Sequence, residues 1–195
     1  GERGPAWCTV EGFAQIDQVG SMLLAIEKLF TALPRAEQSE FMPPIWPMVE
    51  KAGRYLSTQI DDATNLHCPG CDLWETFHGS FTYTNAAIWA GLRAAAGMSQ
   101  LACQLTCGEQ WNEQAALLKQ AVLQKLWCGS YFARGIDVSG EVDVVVDSSI
   151  LGLVEPFQML NLDDVCEREM IEASVETIER RLGTAAAPRH RPQLL

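Results

Sequence analysis

The chain has 195 residues, of which 48% are hydrophobic and 20% are charged, and its net charge at pH 7 is −11. This composition is typical of a folded globular chain and excludes a disordered one. The acidic balance, which no basic stripe offsets, argues against a nucleic-acid partner. No apolar run approaches the roughly 20 residues of a membrane span, so no membrane association is expected.

The N-terminal stretch and the cysteines bear on the compartment. The opening residues, GERGPAWCTVEGF, lack both a basic start and an apolar run, and so predict no signal peptide. A secreted chain of this size more often has an even number of cysteines, because they pair. A cytoplasmic location is therefore expected. The seven cysteines are Cys8, Cys68, Cys71, Cys103, Cys107, Cys128 and Cys166.

Helix-period patterns open the chain. Apolar residues recur at three- and four-residue steps from Phe13 to Phe30, which predicts a first helix that ends before Pro34. A second helix is predicted to begin after Pro43-Pro44, because a proline in the first turn loses no hydrogen bond. Its expected buried residues are Ile45, Met48, Val49, Ala52, Tyr55 and Leu56.

Two further long helices are predicted in the middle of the chain. The third runs from about Ser80 to Ala96, and its alanine content allows a neighbouring helix to approach closely. The fourth runs from about Glu109 to Trp127. Its expected buried residues are Trp111, Ala115, Leu118, Val122 and Leu126.

The last third of the chain begins with a break in the helical pattern. Residues 129–146 predict a loop with a short hairpin that turns at Ser139-Gly140. Asp147 offers a cap for a short apolar helix that ends at Leu153. A last amphipathic helix is predicted from about Asp163 to Leu182, and its expected apolar face holds Val165, Met170, Ile171, Val175, Ile178 and Leu182. Six helices and almost no strand predict an all-α fold.

The stretch CPGCDLWETFHGSF, residues 68–81, concentrates chemically active side chains and admits three interpretations. The first is a metal site, because Cys68 and Cys71 have the spacing of half a zinc site. The residues that could complete it are His67, His78, Cys103 and Cys107. However, adjacent His67 and Cys68 can hardly bind one ion together, and nothing fixes the second cysteine pair beside the first. We therefore interpret the cysteines as thiols in a loop and expect neither a metal nor a cofactor.

The second and third interpretations concern the four residues Asp72-Leu-Trp-Glu75. They match a capping box, which is the interpretation that these residues alone favour, although the convincing helix starts only near Ser80. They also suit a catalytic acid, because apolar neighbours and a nearby carboxylate raise a carboxyl pKa. Trp74 and Phe77 flank Glu75, and an indole ring beside an acid suits a sugar site.

Several segments together resemble one family. DLWETFHGSFTYTNAAIWAGLRAAAG resembles the Asp-Leu-Trp-Glu-Glu segment and the following helix of glucoamylase-type enzymes, family 15 of the glycoside hydrolases. FAQIDQVGSMLLAIEKLF is similar to the family's Gln-x-Asp-x-x-Gly helix, and IWPMVEKAGRYL to its Trp-Pro-x-Val helix. The family's helix after the acid segment resembles Trp111 with AVLQKLW. The family's downstream Asp-x-Ser-x-Leu segment and the helix that follows are similar to VDSSILGLVEPFQML and SVETIERRL. Order and spacing agree across residues 11–183.

The resemblance implies an (α/α)6 barrel in which inner and outer helices alternate. Six helices supply about half of such a barrel, so we expect an incomplete (α/α)6 barrel with one apolar flank exposed. Residues 1–183 would form a partial glucoamylase-like catalytic domain, and residues 184–195 an irregular tail.

The resemblance also implies roles for the residues of the acid segment. Glu75 would be the general acid, and Asp72 and Trp74 would line the substrate pocket. Inverting hydrolysis needs a second carboxylate, the base, about 6.5–9.5 Å from the acid. The chain departs from the family at Thr76, where a second glutamate usually stands, and no residue matches the family's upstream Arg-Asp pair or its base. Four other carboxylates are interpreted as caps and loop charges: Glu141, Asp143, Asp147 and Glu155.

The expected function is exo-acting cleavage of α-glucosidic bonds with inversion, as by a glucan 1,4-α-glucosidase acting on α-glucan or maltooligosaccharides. This chain would carry the acid but not the base. An α,α-trehalose hydrolase of the same family is an alternative. A non-catalytic domain, like that in the regulatory subunits of phosphorylase kinase, is another, and a plain helical scaffold is a third. Asp72, Trp74 and Glu75 together favour catalysis, whereas Thr76 and the missing base allow the regulatory role.

Overall fold

A computed structural model of the protein describes residues 15–71 and 77–183. Within them the chain is mainly helical, as predicted, and a small three-stranded antiparallel sheet is added to the helices. None of the described helices is both long enough and apolar enough to cross a membrane. The elements in chain order are α1 (Ile16–Ala32), α2 (Arg35–Thr58), β1 (Gly79–Phe81), α3 (Thr82–Ser99), α4 (Leu105–Lys125), β2 (Gly135–Asp137), β3 (Val142–Asp143), a 3-10 helix (Ser148–Leu153) and α5 (Val165–Leu182).

Helix α3 forms the centre of the fold. It packs against α1 and α4, and less extensively against α2 and the 3-10 helix. Most of its residues are buried, because small side chains let its neighbours approach from several sides. The small buried residues of α3 are Ala86, Ala87, Ala90, Gly91, Ala94, Ala95 and Ala96. The predicted close approach of a neighbouring helix is therefore confirmed.

The contact between α1 and α3 depends on two glycines. A methyl group added at Gly20 would lie 2.1 Å from the carbonyl oxygen of Ala87. One added at Gly91 would lie 2.7 Å from the Cα atom of Gly20. The backbones of α1 and α3 can approach this closely only because both positions are glycine. A larger residue at Gly20 must push the two helices apart.

The predicted first helix is confirmed, and so is the fourth, except that α4 begins at Leu105, four residues before the predicted start at Glu109. Helix α1 ends at Ala32, before Pro34, and the residues that the pattern predicts to be buried in α4 are each at most 1% exposed. They belong to one core with Leu23, Leu56 and Ile88 from the neighbouring helices. Phe13, with which the first predicted helix opens, lies outside the described residues.

The predicted start of the second helix is wrong. Helix α2 begins at Arg35, so that the prolines at positions 43, 44 and 47 all lie inside it. A proline lacks the N–H group and crowds the carbonyl four residues earlier, which is why the sequence predicts a boundary there. The helix continues because Met42 and Val49 are buried on either side of the prolines. Met48, which the pattern predicts to be buried, is 40% exposed.

The predicted start of the third helix is also wrong, by two residues. Ser80 and Phe81 belong to β1, which pairs with β2, and α3 begins at Thr82. The predicted hairpin is confirmed: β2 and β3 pair, and Gly140 has a φ of +85°, which suits a turn.

The positions of the last two predicted helices are confirmed, but the type of the first and the buried face of the second differ from the prediction. The Asp147 side chain accepts a hydrogen bond from the Ser149 amide and caps the short helix, which is of the 3-10 type. Helix α5 begins at Val165, and the Asp164 side chain caps it. Its buried face is narrower than the pattern predicts. Of the apolar residues assigned to it, Val165, Val175 and Leu182 are exposed.

Candidate active site

The predicted site residues Asp72, Trp74 and Glu75 lie outside the described residues, as does Thr76. The predicted capping box therefore also lies outside them. The structure describes the chain up to Cys71 and again from Phe77. The two flanks of the acid segment are therefore the part of the site whose geometry is known.

The two flanks are joined directly by their backbones. The Gly70 amide donates to the Gly79 carbonyl oxygen at 2.9 Å, and the Gly79 amide donates to the Gly70 carbonyl oxygen at 3.0 Å. Gly79 must be a glycine, because an added methyl group would lie 2.2 Å from the carbonyl oxygen of Ile136. The backbone at Gly70 therefore lies directly beside the backbone at Gly79, and the two flanks of the acid segment meet there.

Asn85, on the first turn of α3, fastens both flanks to that helix. It is fully buried, and its Oδ1 atom accepts from the His67 amide at 2.8 Å. Its Nδ2 atom donates to Ser80 Oγ at 3.0 Å and to the Phe81 carbonyl oxygen at 2.8 Å. One side chain thus holds the segment before the acid segment and the strand after it. We call Gly70, Gly79, His67, Phe81 and Asn85 the loop frame.

His67 is the second buried side chain of the loop frame. Its Nδ1 atom lies 2.7 Å from the Cys68 carbonyl oxygen, to which it donates, and its Nε2 atom accepts from the Phe81 amide at 2.6 Å. Because Nε2 accepts and Nδ1 donates, the two contacts together need the neutral ring, protonated on Nδ1. Burial lowers the pKa of His67 from 6.5 to about 4, and the bond to the Cys68 carbonyl opposes this only in part.

The sheet supports the loop frame from the other side. The Thr82 amide donates to the Arg134 carbonyl oxygen at 2.9 Å, at the point where β1 passes into α3. The Phe77 and Phe81 rings lie 4.4 Å apart, and the Arg134 guanidinium lies 5.4 Å from the centre of the Phe77 ring. Arg134 Nε donates to Asp143 Oδ2 at 2.7 Å, which fixes the guanidinium over that ring. Asp143 is therefore a partly buried partner of Arg134 rather than a simple loop charge.

A cavity of about 330 Å³ adjoins the loop frame, and its polar lining residues are Asp61, Thr64, His67, Ser80, Lys125 and Asp137. Lys125 Nζ donates to the Thr64 carbonyl oxygen at 2.8 Å. Hydrogen bonds from Thr64 lower the pKa of Asp61, and those from Ser139 and the Glu141 amide lower the pKa of Asp137. Both carboxylates are thus charged at neutral pH, which suits hydrogen-bond acceptance and not the role of a general acid.

The remaining predicted carboxylates have structural or exposed positions. The predicted cap at Asp147 is confirmed. Glu155 accepts a long hydrogen bond of 3.4 Å from Gln158, and Glu141 is exposed in the hairpin.

The cysteines of the described ranges are thiols, at positions 68, 71, 103, 107, 128 and 166. Both ring nitrogens of His67 are engaged by the backbone, so this ring has no nitrogen left for an ion. Within the described residues no three His, Cys, Asp or Glu side chains are grouped so that they could hold a metal ion. The pair Cys68 and Cys71 differs in exposure, since Cys71 is 1% exposed and Cys68 is partly exposed.

The sequence does not predict the loop frame. Its pattern indicates His67 only as a possible metal ligand and gives Asn85 no role. The available signal is an asparagine within a run of small apolar residues, because a polar side chain on a buried helix must find hydrogen-bond partners.

The fold occurs in a solved rhamnosidase. The structure is similar to the crystal structure of a GH78 family rhamnosidase of Bacillus sp. GL1, with a TM-score of 0.58 and 16% sequence identity. The match covers 87% of this chain and 21% of the rhamnosidase chain. At this identity the likeness concerns the fold alone.

The sequence identifies the family. The family model for "Glycosyl hydrolases family 15" matches residues 11–187. A protein of Methanocaldococcus jannaschii named as an uncharacterized glycosyl hydrolase is 32% identical over 171 residues, which cover 87% of this chain. The chain belongs to glycosyl hydrolase family 15. It spans 26% of the length of the archaeal relative.

Proposed function

We propose that this chain is the acid-bearing part of a family 15 glycoside hydrolase and that it acts on carbohydrate. The observation that carries the proposal is the family match over residues 11–187, which includes the segment from Asp72 to Glu75. The loop frame supports it, because a general acid must be held at a fixed distance from the bond that it protonates. Buried hydrogen bonds at both ends of the segment supply such support.

Within this proposal, Glu75 is the general acid and protonates the glycosidic oxygen of the leaving sugar. Asp72 and Trp74 line the substrate pocket, where the indole offers a stacking surface to a pyranose. The reaction is exo-acting cleavage of an α-glucosidic bond with inversion, on an α-glucan or a maltooligosaccharide. A carboxylate base about 6.5–9.5 Å from the acid would activate the water. The base lies outside this chain, in the remainder of a longer family member.

We further propose that the described helices form part of an (α/α)6 barrel. The central position of α3 and the greater exposure of α2 and α4 support an alternation of inner and outer helices. Residues 1–183 would be the partial catalytic domain, and residues 184–195 a tail beyond it. The odd number of cysteines supports a reducing, cytoplasmic location.

The test is Glu75→Gln in a longer protein that contains this chain and the rest of the family 15 domain. Removing a general acid costs about 100-fold to 10,000-fold in turnover, because the leaving oxygen is no longer protonated. The control is Glu176→Gln, which removes an exposed glutamate from α5 and should leave turnover unchanged. The assay follows glucose release from maltooligosaccharides and from trehalose. Unchanged hydrolysis by the Glu75→Gln protein would show that the acid is another residue.

Two alternatives lead to different outcomes of the same assay. An α,α-trehalose hydrolase would release glucose from trehalose and not from maltooligosaccharides. A non-catalytic domain that works by protein contact would release none from either, even in the longer protein. Thr76, in place of the family's second glutamate, and the missing base allow the non-catalytic role.

A further inference from the structure

A second cavity lies apart from the loop frame and has no part in the proposed hydrolysis. Its volume is about 420 Å³, which falls in the range of ordinary ligand sites, and it lies between the first half of α2 and the turn after α3. The loop frame, by contrast, lies where α2 ends and α3 begins. The apolar lining residues are Met42, Pro43, Trp46, Pro47, Leu101 and Ala102.

The polar side of this cavity is formed by α2 alone, through Arg35, Gln38 and Ser39. Gln38 Nε2 donates to the Leu33 carbonyl oxygen, and its own amide oxygen can still accept a hydrogen bond. Ser39 Oγ donates to the Ala36 carbonyl oxygen and can still accept a hydrogen bond. The cavity therefore combines an indole ring and proline rings with hydrogen-bonding side chains.

The prolines of α2 add acceptors to the same region. A proline has no N–H, so Pro43 and Pro47 cannot donate to the carbonyl oxygens four residues earlier. These carbonyls belong to Ser39 and Pro43, and both residues line the cavity. Two residues of the lining thus have backbone oxygens that lack the usual helical donor. An occupant that brings hydroxyl donors would satisfy them.

The chemistry of the lining selects among occupants. Arg35 disfavours a cation. An anion that only accepts hydrogen bonds could not donate to the carbonyl oxygens that lack a helical donor. A purely apolar molecule would leave these oxygens without water or any other donor, at a cost in free energy. A pyranose has hydroxyl groups that both donate and accept and a C–H face that packs on an indole. We propose that this cavity is a second carbohydrate site, which takes a pyranose unit of a neutral oligosaccharide with its C–H face on Trp46.

The proposal does not depend on the role of Glu75. A site at the opposite end of α2 and α3 would hold a long glucan while its end enters the catalytic pocket of the whole enzyme. Binding here should therefore survive the loss of the acid. The experiment below separates the two proposals for that reason.

The probe is maltoheptaose, titrated into the 195-residue chain by calorimetry, with nuclear magnetic resonance of the Trp46 indole N–H as a second readout. Saturable binding with a shift of that signal is expected. Ser39→Trp fills the cavity and should weaken binding about tenfold or more, and Arg35→Ala should weaken it about threefold or more. Glu37→Trp is the control, because two residues turn the helix by about 200° and place the same bulk on the opposite face.

Circular dichroism establishes whether each variant is folded. If Ser39→Trp does not fold, Arg35→Ala still tests the site, because Arg35 is exposed and its replacement should not disturb the core. Glu75→Gln should bind maltoheptaose as the unaltered chain does. Absence of saturable binding overturns the proposal. Binding that Ser39→Trp and Arg35→Ala leave unchanged, or that Glu75→Gln abolishes, overturns it as well, because the sugar would then occupy the acid segment.

Discussion

Two buried polar residues, His67 and Asn85, determine how the flanks of the acid segment are held. They contact backbone groups that lie on opposite sides of that segment. Asn85 itself lies 18 residues from His67, whose amide it binds. Only the packed fold brings these groups together, so a sequence pattern does not reveal their pairing.

His67 should make the fold sensitive to acid. Its pKa is depressed to about 4, so its neutral form is the one that the folded protein stabilises. The associated stability is present above pH 6.5 and is lost as the pH falls towards 4, by about 3 kcal/mol in all. Urea unfolding from pH 7 to pH 4, compared between the unaltered chain and His67→Gln, measures this loss. The variant should be less stable at pH 7 but lose less stability on acidification.

The matched control for this experiment is His78→Gln. His78 is partly exposed, and its Nε2 atom lies 3.1 Å from the Pro69 carbonyl oxygen. The same substitution is thus made at a histidine outside the buried hydrogen bonds of the loop frame, and the loss of stability between pH 7 and pH 4 should remain that of the unaltered chain. If His67→Gln lost as much stability on acidification as the unaltered chain, the acid sensitivity would have another source.

Local features of the chain are the predictable ones at this scale. The turn at Ser139-Gly140 and the cap at Asp147 depend on residues that are adjacent in sequence, and both predictions are confirmed. The ion pair of Arg134 with Asp143 is not predictable in this way, since it requires the hairpin to have formed first.

Among the contacts between elements, the crossing of α1 and α3 leaves very little room for a larger side chain. Gly20→Ala would place a methyl group 2.1 Å from the Ala87 carbonyl oxygen, so the helices must separate. We expect a loss of about 1–3 kcal/mol in the free energy of unfolding. The control is Gly97→Ala in α3, where nothing lies within 4 Å of an added methyl group.

That control should stabilise the protein by about 0.5–1 kcal/mol, because alanine loses less backbone entropy than glycine in a helix. Denaturant unfolding of both variants provides the measurement. Equal stabilities for Gly20→Ala and the unaltered chain would mean that the two helices are not in close contact at this point.

The helices are predictable where the spacing of apolar residues agrees with the residues that end a helix. The end of α1 before Pro34 and the buried face of α4 follow from the pattern. The start of α2 does not, because packing of Met42 and Val49 outweighs the helix-breaking tendency of three prolines. Strand β1 escapes prediction, since three residues are too few for an alternating pattern to be recognised.

On the scale of the whole molecule, the chain has a surface that suits a larger assembly. One side of α1 carries apolar residues at steps of three and four, and two of them are well exposed: Met22 at 37% and Leu29 at 54%. Val19 and Ile26, which belong to the same row, are partly buried, and Leu23 on the α3 side is fully buried. A row of apolar residues that is partly exposed on a helix is normally covered by a neighbouring element. This accords with a chain that spans 26% of its archaeal relative.

The isolated 195-residue chain should therefore show negligible hydrolysis of maltooligosaccharides and trehalose. It would carry the acid without the base, and loss of either carboxylate costs orders of magnitude in turnover. Glucose release by the chain alone, compared at equal concentration with the longer protein, provides the check. Sustained turnover by the chain alone would place the base within these 195 residues.

The backbone pair between Gly70 and Gly79 has a consequence for how such enzymes diversify. The hydrogen bonds of the loop frame hold Gly70 and Gly79 together. They therefore offset the entropy cost of bringing together the ends of the segment between them. Each doubling of loop length then adds only about 0.6 kcal/mol. Segments of different length and sequence could therefore connect the two ends of the loop frame while the helices stay unchanged. If the acid segment lines the substrate pocket as we propose, such exchanges would alter substrate preference without a new fold.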